Sequence, residues 1–276
     1  MWHLRKPTLK SAKDDLENVV STCNSINNDD KSAFEDLYEE YDSHNGSISI
    51  DYHTDFMSKF PMQAAAMKGQ YKKTFEGERL YYIRDELTRD VYKCPYCGFG
   101  EPVTLDHYLP ESIFSELATC RLNLVPLCWK CNNEKRNKDY HNFIHSYYQE
   151  FDKDVIFFKC KVEARNGGIL VFDYYIDGSN IDGGLKQILD SQISCIKLNE
   201  RLSKESVSYI LDNFGIGYEN DDVLSYFIED RLSKVITKRG KNDWQAALLN
   251  GLLNCREFDV LFLKDFISRN EDVQGI

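Results

Sequence analysis

Cys94-Pro95-Tyr96-Cys97-Gly98, Leu105-Asp106-His107 and Asn123-Leu124-Val125-Pro126-Leu127-Cys128-Trp129-Lys130-Cys131-Asn132 decide how this chain is read. Two C-x-x-C pairs stand with 30 residues between them. Each such turn aims two thiolates at one point, which is what a tetrahedral structural zinc requires. Cys94, Cys97, Cys128 and Cys131 are therefore the expected zinc ligands, and the metal replaces a local core. Hard-metal and acid–base groups stand at the corners of the same run: Asp106, His107, Asn123 and Asn132. A zinc-stapled hydrolytic site is the leading reading.

Working outward, the 276 residues are 42% hydrophobic and 29% charged, a composition of globular chains with one to three domains. No apolar run reaches membrane-spanning length, and Met1-Trp2-His3-Leu4-Arg5-Lys6-Pro7 does not lead into a signal-peptide apolar stretch. A cytoplasmic location with no membrane association is expected. Of nine cysteines, the five outside the two pairs (Cys23, Cys120, Cys160, Cys195, Cys255) lie among apolar or helical neighbours and read as reduced core thiols.

The net charge of −11 argues against a large non-specific nucleic-acid footprint. From Lys93 to Asp139, six Lys/Arg balance six Asp/Glu, so the flanks carry the excess. Lys130, Lys135, Arg136 and Lys138 against Glu134 make a short basic stretch after the second thiol pair, suited to phosphate or else an ordinary solvated helix face.

Three regions are expected: a helical one over 1–90, the thiol-rich unit over 91–140, and a hairpin followed by helices over 141–276. In the first, Leu16, Val19, Val20 and Cys23, then Phe34, Leu37, Tyr38 and Tyr41, recur at helical spacing, with capping boxes read at Ser11–Asp14 and Ser32–Glu35. A turn around Asn45-Gly46 precedes helical patterning over 62–73 and 76–89. In the last, Val155–Val162 and Ile169–Ile176 read as strands joined through Arg165-Asn166-Gly167-Gly168. Apolar stripes follow at Ile188/Leu189/Ile193/Ile196, Leu224/Phe227/Ile228/Arg231/Leu232 and Trp244/Ala247/Leu248/Leu252. The fold class is α+β, mainly helical. His141 and His145 stand at i, i+4 spacing but lack a third ligand nearby, and are left outside the site.

Cys94-x-x-Cys97, Asp106-His107, Pro110 and Asn123-Leu124-Val125-Pro126-Leu127-Cys128-x-x-Cys131-Asn132-x-x-Lys135 together resemble the HNH endonucleases, in the branch whose ββα-metal motif is braced by a four-cysteine zinc. The resemblance implies a metal-dependent endonuclease that cuts DNA in preference to RNA, leaving 5′-phosphate and 3′-hydroxyl ends. Asp106 and Asn132 would be ligands of Mg²⁺ or Mn²⁺, His107 the general base, Asn123 the residue that holds the loop, and Lys135 and Arg136 phosphate contacts. Some HNH enzymes carry a third metal-binding histidine where this chain has Arg136, so two protein ligands are expected here. Tyr147-Tyr148 and the following hairpin are similar to extensions on HNH subunits of Septu-type anti-phage systems, which implies a partner ATPase of the ABC or SMC-like type. A catalytically silent zinc-knuckle module that binds protein or nucleic acid stays open as the rival reading.

Overall fold

The computed structural model describes residues 1–136 and 138–274. The chain divides into two compact units, one over Trp2–Glu150 and one over Phe151–Ile276 with Met1. In the first, α1 (Leu9–Val20), α2 (Asn28–Ser43), α3 (Ile50–Lys59), α4 (Pro61–Tyr71) and α5 (Tyr81–Thr88) precede β1 (Thr104–His107), β2 (Leu124–Leu127) and α6 (Trp129–Lys135). The expected separation at residue 90 is absent. Leu16, Phe34, Leu37 and Tyr41 of the helices share one buried cluster with Leu105, Leu117, Leu122 and Leu124 around the strands. The reason is size: two four-residue strands and a seven-residue helix cannot enclose a core, so they borrow one from the N-terminal helices.

Both helix starts lie upstream of the expected capping boxes. Thr8 caps α1 by accepting from Ser11 N–H, and α2 opens on a reciprocal box between Asn27 and Asp30. Ser11 falls inside the first turn of α1 and Ser32 is the fifth residue of α2, because an earlier Thr or Asn was free to take the orphan amides. The Asn45-Gly46 turn is present, with φ of 55° and 80°. Gly46 is bare for a second reason: a Cβ there would stand 2.4 Å from His145 Cδ2.

β1 and β2 pair antiparallel in the register Thr104↔Leu127, Leu105↔Pro126, Asp106↔Val125, His107↔Leu124. Tyr108 N–H donates to the Asn123 carbonyl at 2.9 Å, so Leu105↔Pro126 falls at a non-hydrogen-bonded position and the proline costs the ladder nothing. Tyr71 on α4 donates its hydroxyl to the outward Leu105 carbonyl at 2.9 Å.

In the second unit, β3 (Phe158–Arg165) and β4 (Ile169–Ile176) form the expected hairpin, with strand pairing beginning at Phe158↔Ile176. Alternate residues Phe158, Cys160, Val162, Phe172, Tyr174 and Ile176 are buried. Helices α7 (Gly183–Cys195), α8 (Leu198–Asn213), α9 (Asp221–Arg239), α10 (Trp244–Leu253) and α11 (Val260–Gln274) complete it. Tyr174 bonds Ser206 on α8 at 2.6 Å, and Gly251 lets α10 close onto β3, where a Cβ would stand 2.6 Å from the Cys160 carbonyl. No described helix is long and apolar enough to cross a membrane.

Candidate metal and phosphodiester site

The four thiols come together as expected. Cys94, Cys97, Cys128 and Cys131 are buried and their Sγ atoms all lie within 4.8 Å of one another, with Cys97 and Cys128 3.8 Å apart. The first pair sits on a knuckle closed by Cys94 N–H to Gly100 O and Gly98 N–H to Cys94 O, both 2.8 Å, with Gly98 at φ 77°. Gly100 N–H donates to Cys97 Sγ at 3.3 Å, and a Cβ on Gly100 would stand 2.8 Å from both Cys128 Cβ and Sγ. The second pair opens α6: Cys128 is its N-cap and accepts from Cys131 N–H at 3.4 Å. Burial pushes the Cys94 thiol well above its ordinary range. A soft divalent cation is the group that lets four such thiols be thiolates together, so the donor set fits zinc.

Asp106 and His107 end β1, one residue apart, so their side chains leave opposite faces of the ribbon. Asp106 is 5% exposed. Burial raises its carboxyl above the usual range while the nearby Lys135 ammonium holds it down. Its Oδ2 pairs with Lys135 Nζ at 2.8 Å, and the same ammonium donates to the His107 and Tyr108 carbonyls at 2.7 and 3.3 Å. A carboxylate has about four acceptor sites, so the Lys135 contact leaves others open. That fits a hard-metal ligand.

Lys135 is the clear correction. It was expected on a phosphate, yet it is 2% exposed and acts as an internal strut between α6 and the end of β1. Three positions after Asn132 on a helix, it projects over the same inward face as Cys131 and not toward solvent. Arg136, the other expected phosphate contact, is exposed at the C-cap of α6, with φ 27°.

His107 points Nε2 at the Ala118 carbonyl, 2.8 Å away, and its ring meets Tyr71 edge-on at 4.4 Å. A carbonyl accepts only from N–H, so Nε2 carries the proton and Nδ1 carries the lone pair. Burial, first, and the Lys135 and Lys68 charges lower its pKa to about 4 against the raising effect of the Ala118 bond, which keeps the ring neutral near pH 7. Its side chain retains 10% exposure, and Glu111 Oε2 lies 4.0 Å from Nε2.

Asn123 is fully buried and holds the loop after β1 from both sides. Its Oδ1 accepts from Leu109 N–H at 2.8 Å and from the Tyr41 hydroxyl at 3.1 Å, and its Nδ2 donates to the Leu109 and Leu117 carbonyls. It reaches His107 only through that loop, whose Ala118 carbonyl receives the imidazole proton. Asn132, half-buried in α6, donates its amide to Thr104 Oγ1 at 3.0 Å, and Thr104 donates on to Leu127 O. Its orientation is therefore fixed, with N–H toward the strand.

Sequence reasoning missed Tyr41 and His145. His145 is buried, its Nδ1 accepts from Tyr147 N–H at 3.3 Å, and its Nε2 lies 2.9 Å from the Tyr41 oxygen. The polarity is set: His145 Nε2–H donates to Tyr41, which donates to Asn123 Oδ1. His141, by contrast, is exposed beside Asp139, so the two histidines do not converge.

Among known proteins, residues 94–138 match the family described as HNH endonuclease. Protein ea31 of Escherichia phage lambda is 36% identical over 82 residues, covering 28% of this chain and 27% of that protein. The chain thus spans about a quarter of the relative it matches. No solved structure matches. The segment that holds every candidate site residue, from Cys94 to Arg136, is the one that matches the HNH endonuclease family.

Proposed function

We propose that the protein is a metal-dependent endonuclease that hydrolyses phosphodiester bonds in DNA, with zinc on the four thiols and Mg²⁺ or Mn²⁺ at Asp106 and Asn132. The observation that carries this is the end of β1, where His107 has its Nε2 tied back to the Ala118 carbonyl and Asp106, next to it in sequence, is a buried carboxylate. A bound divalent ion supplies charge neutralisation for the scissile phosphate and the departing oxygen.

The residues then divide the work. His107 takes the proton of the attacking water on Nδ1, and the Ala118 carbonyl steadies the imidazolium that results. Asp106 and Asn132 offer the oxygens of a hard-metal site. Lys135 neutralises Asp106 and ties His107 and Tyr108 to α6, while the exposed Arg136 meets a phosphate. Asn123 keeps the loop that carries Ala118 in place.

Incubating plasmid with the protein and Mg²⁺ or Mn²⁺, beside His107→Ala, tests the reading. Nicking by the native chain alone is expected; equal nicking by both removes His107 as base, and none by either favours the silent zinc-knuckle module. The net charge of −11 supports targeting through a companion, and we place the chain as the nuclease subunit of an anti-phage complex with an ABC or SMC-like ATPase. Co-purification with the neighbouring gene product checks that assignment, which an efficient stand-alone nuclease would contradict.

A further inference from the structure

Outside the nuclease segment the acidic chain carries several locally basic stretches, one of them at the end of α9. From Arg231 to Asn242 there are five Lys/Arg (231, 234, 238, 239 and 241) and no Asp or Glu. Arg231, Lys234 and Lys238 recur at i, i+3 and i+7, so they share one face of α9. With Arg239 they line a groove of about 460 Å³ whose other walls include Tyr209 and Phe227. Among the lining residues Asp230 is the acidic one, pairing with Lys234, so the lining itself carries an excess of three positive charges, with the buried Asp243 close enough to Arg239 to feel its charge.

Arg231 is held in place before any ligand arrives. Its guanidinium stacks over Phe227 at 5.0 Å, one terminal nitrogen donates to Asn213 Oδ1 at 2.8 Å, and its Nε is buried with no hydrogen-bond partner. The helix macrodipole accounts for Lys238 and Arg239 in the last turn, but its effect fades within a turn and does not explain Arg231 or Lys234.

We propose that this groove docks the phosphodiester backbone of DNA, which rests on the nuclease reading above and gives the second unit a share in substrate binding. Arg231 to Lys238 spans about 10 Å of helix at 1.5 Å per residue. Phosphates of one strand advance about 3.4 Å each along the duplex while winding around it, so a row of this length reaches adjacent phosphates of one strand. The aromatic walls suit a sugar–base edge, whereas an acidic peptide would use the charges alone.

The test is a salt series of fluorescence anisotropy with a labelled DNA duplex and the full chain, in the His107→Ala background so that nothing is cut. Lys234→Gln with Lys238→Gln, both exposed, should lower the slope of log K against log salt by about 2, and adding Arg231→Gln by about 3. Affinity should fall at least about tenfold at low salt. Far-ultraviolet circular dichroism confirms the helices, and the Lys/Lys variant keeps the test valid if removing Arg231 loosens the fold. An unchanged slope in both variants overturns the proposal, as does tighter binding of poly-glutamate than of the duplex. Because binding is read without cleavage, a protein that fails to nick plasmid yet shows the slope change loses the nuclease reading and keeps the groove.

Discussion

Replacing Lys135 with Met separates an internal strut from a phosphate contact. The substitution keeps most of the aliphatic stem and removes the ammonium that lies 2.8 Å from Asp106 Oδ2 and donates to the His107 and Tyr108 carbonyls. Both partners are almost wholly buried, so Asp106 becomes an uncompensated interior charge, a change that costs about 3–5 kcal/mol. For a unit of this size each kcal/mol moves Tm by about 2–4 °C, which gives a fall of roughly 10 °C. Differential scanning fluorimetry of zinc-loaded protein reads it. Adding Asp106→Asn to Lys135→Met should recover part of the loss, because the stranded charge is gone. A phosphate contact behaves otherwise: Tm holds and the salt slope of DNA binding drops by about 1. That pattern would refute the strut.

Gly100→Ala should push Cys128 off the thiol cluster, since the new Cβ meets its Cβ and Sγ at 2.8 Å; zinc measured by atomic emission should fall below one per chain. Tyr41→Phe removes the hydroxyl between His145 and Asn123 and should destabilise by about 1–3 kcal/mol. It should also lower kcat more than it raises KM, because the loop carrying Ala118 loosens without touching substrate. His145 has its pKa lowered from 6.5 to about 3, first by burial and then by the Lys135 charge. Below pH 6.5 the unfolded chain therefore binds a proton that the folded one does not. Stability from this group is complete above pH 6.5 and is lost on acidification toward pH 3, at about 1.4 kcal/mol per pH unit. Urea titrations of native protein and His145→Gln between neutrality and pH 5 should show the steeper loss in the native chain.

The thiol quartet and the order Asp106, His107, Asn123, Asn132 were legible because metal and acid–base chemistry fixes residue type and spacing at once. Asp106 and His107 end β1, Asn123 immediately precedes β2, and Asn132 lies in α6. Lys135 was misread because its charge suggests a surface, and nothing in the spacing reveals that the helix turns it inward onto Asp106. Tyr41 and His145 lie 82 and 22 residues from Asn123. Only the fold joins them, and the one local hint was the bare Gly46 on which the His145 ring rests. The stripes of α7, α9 and α10 follow the helical period, and the hairpin is present, but β3 runs Phe158–Arg165, three residues beyond the expected Val155–Val162, and takes in Arg165 from the expected connection. α8 escaped because its buried row, Leu198, Leu202, Ser206 and Ile210, includes a serine that bonds Tyr174 in place of an apolar residue. α3 escaped because Phe56 is its one fully buried side chain.

The central claim is that zinc-braced β1 and α6 present one carboxylate and one carboxamide to a single exchangeable divalent ion, with an imidazole beside it that is not a ligand. Electron paramagnetic resonance of Mn²⁺ titrated into zinc-loaded protein, with a cleavage-resistant phosphorothioate duplex present, measures that directly. One immobilised Mn²⁺ per chain is predicted for the native protein and for His107→Ala, and none for Asp106→Ala. Mn²⁺ retained equally by all three would contradict the account.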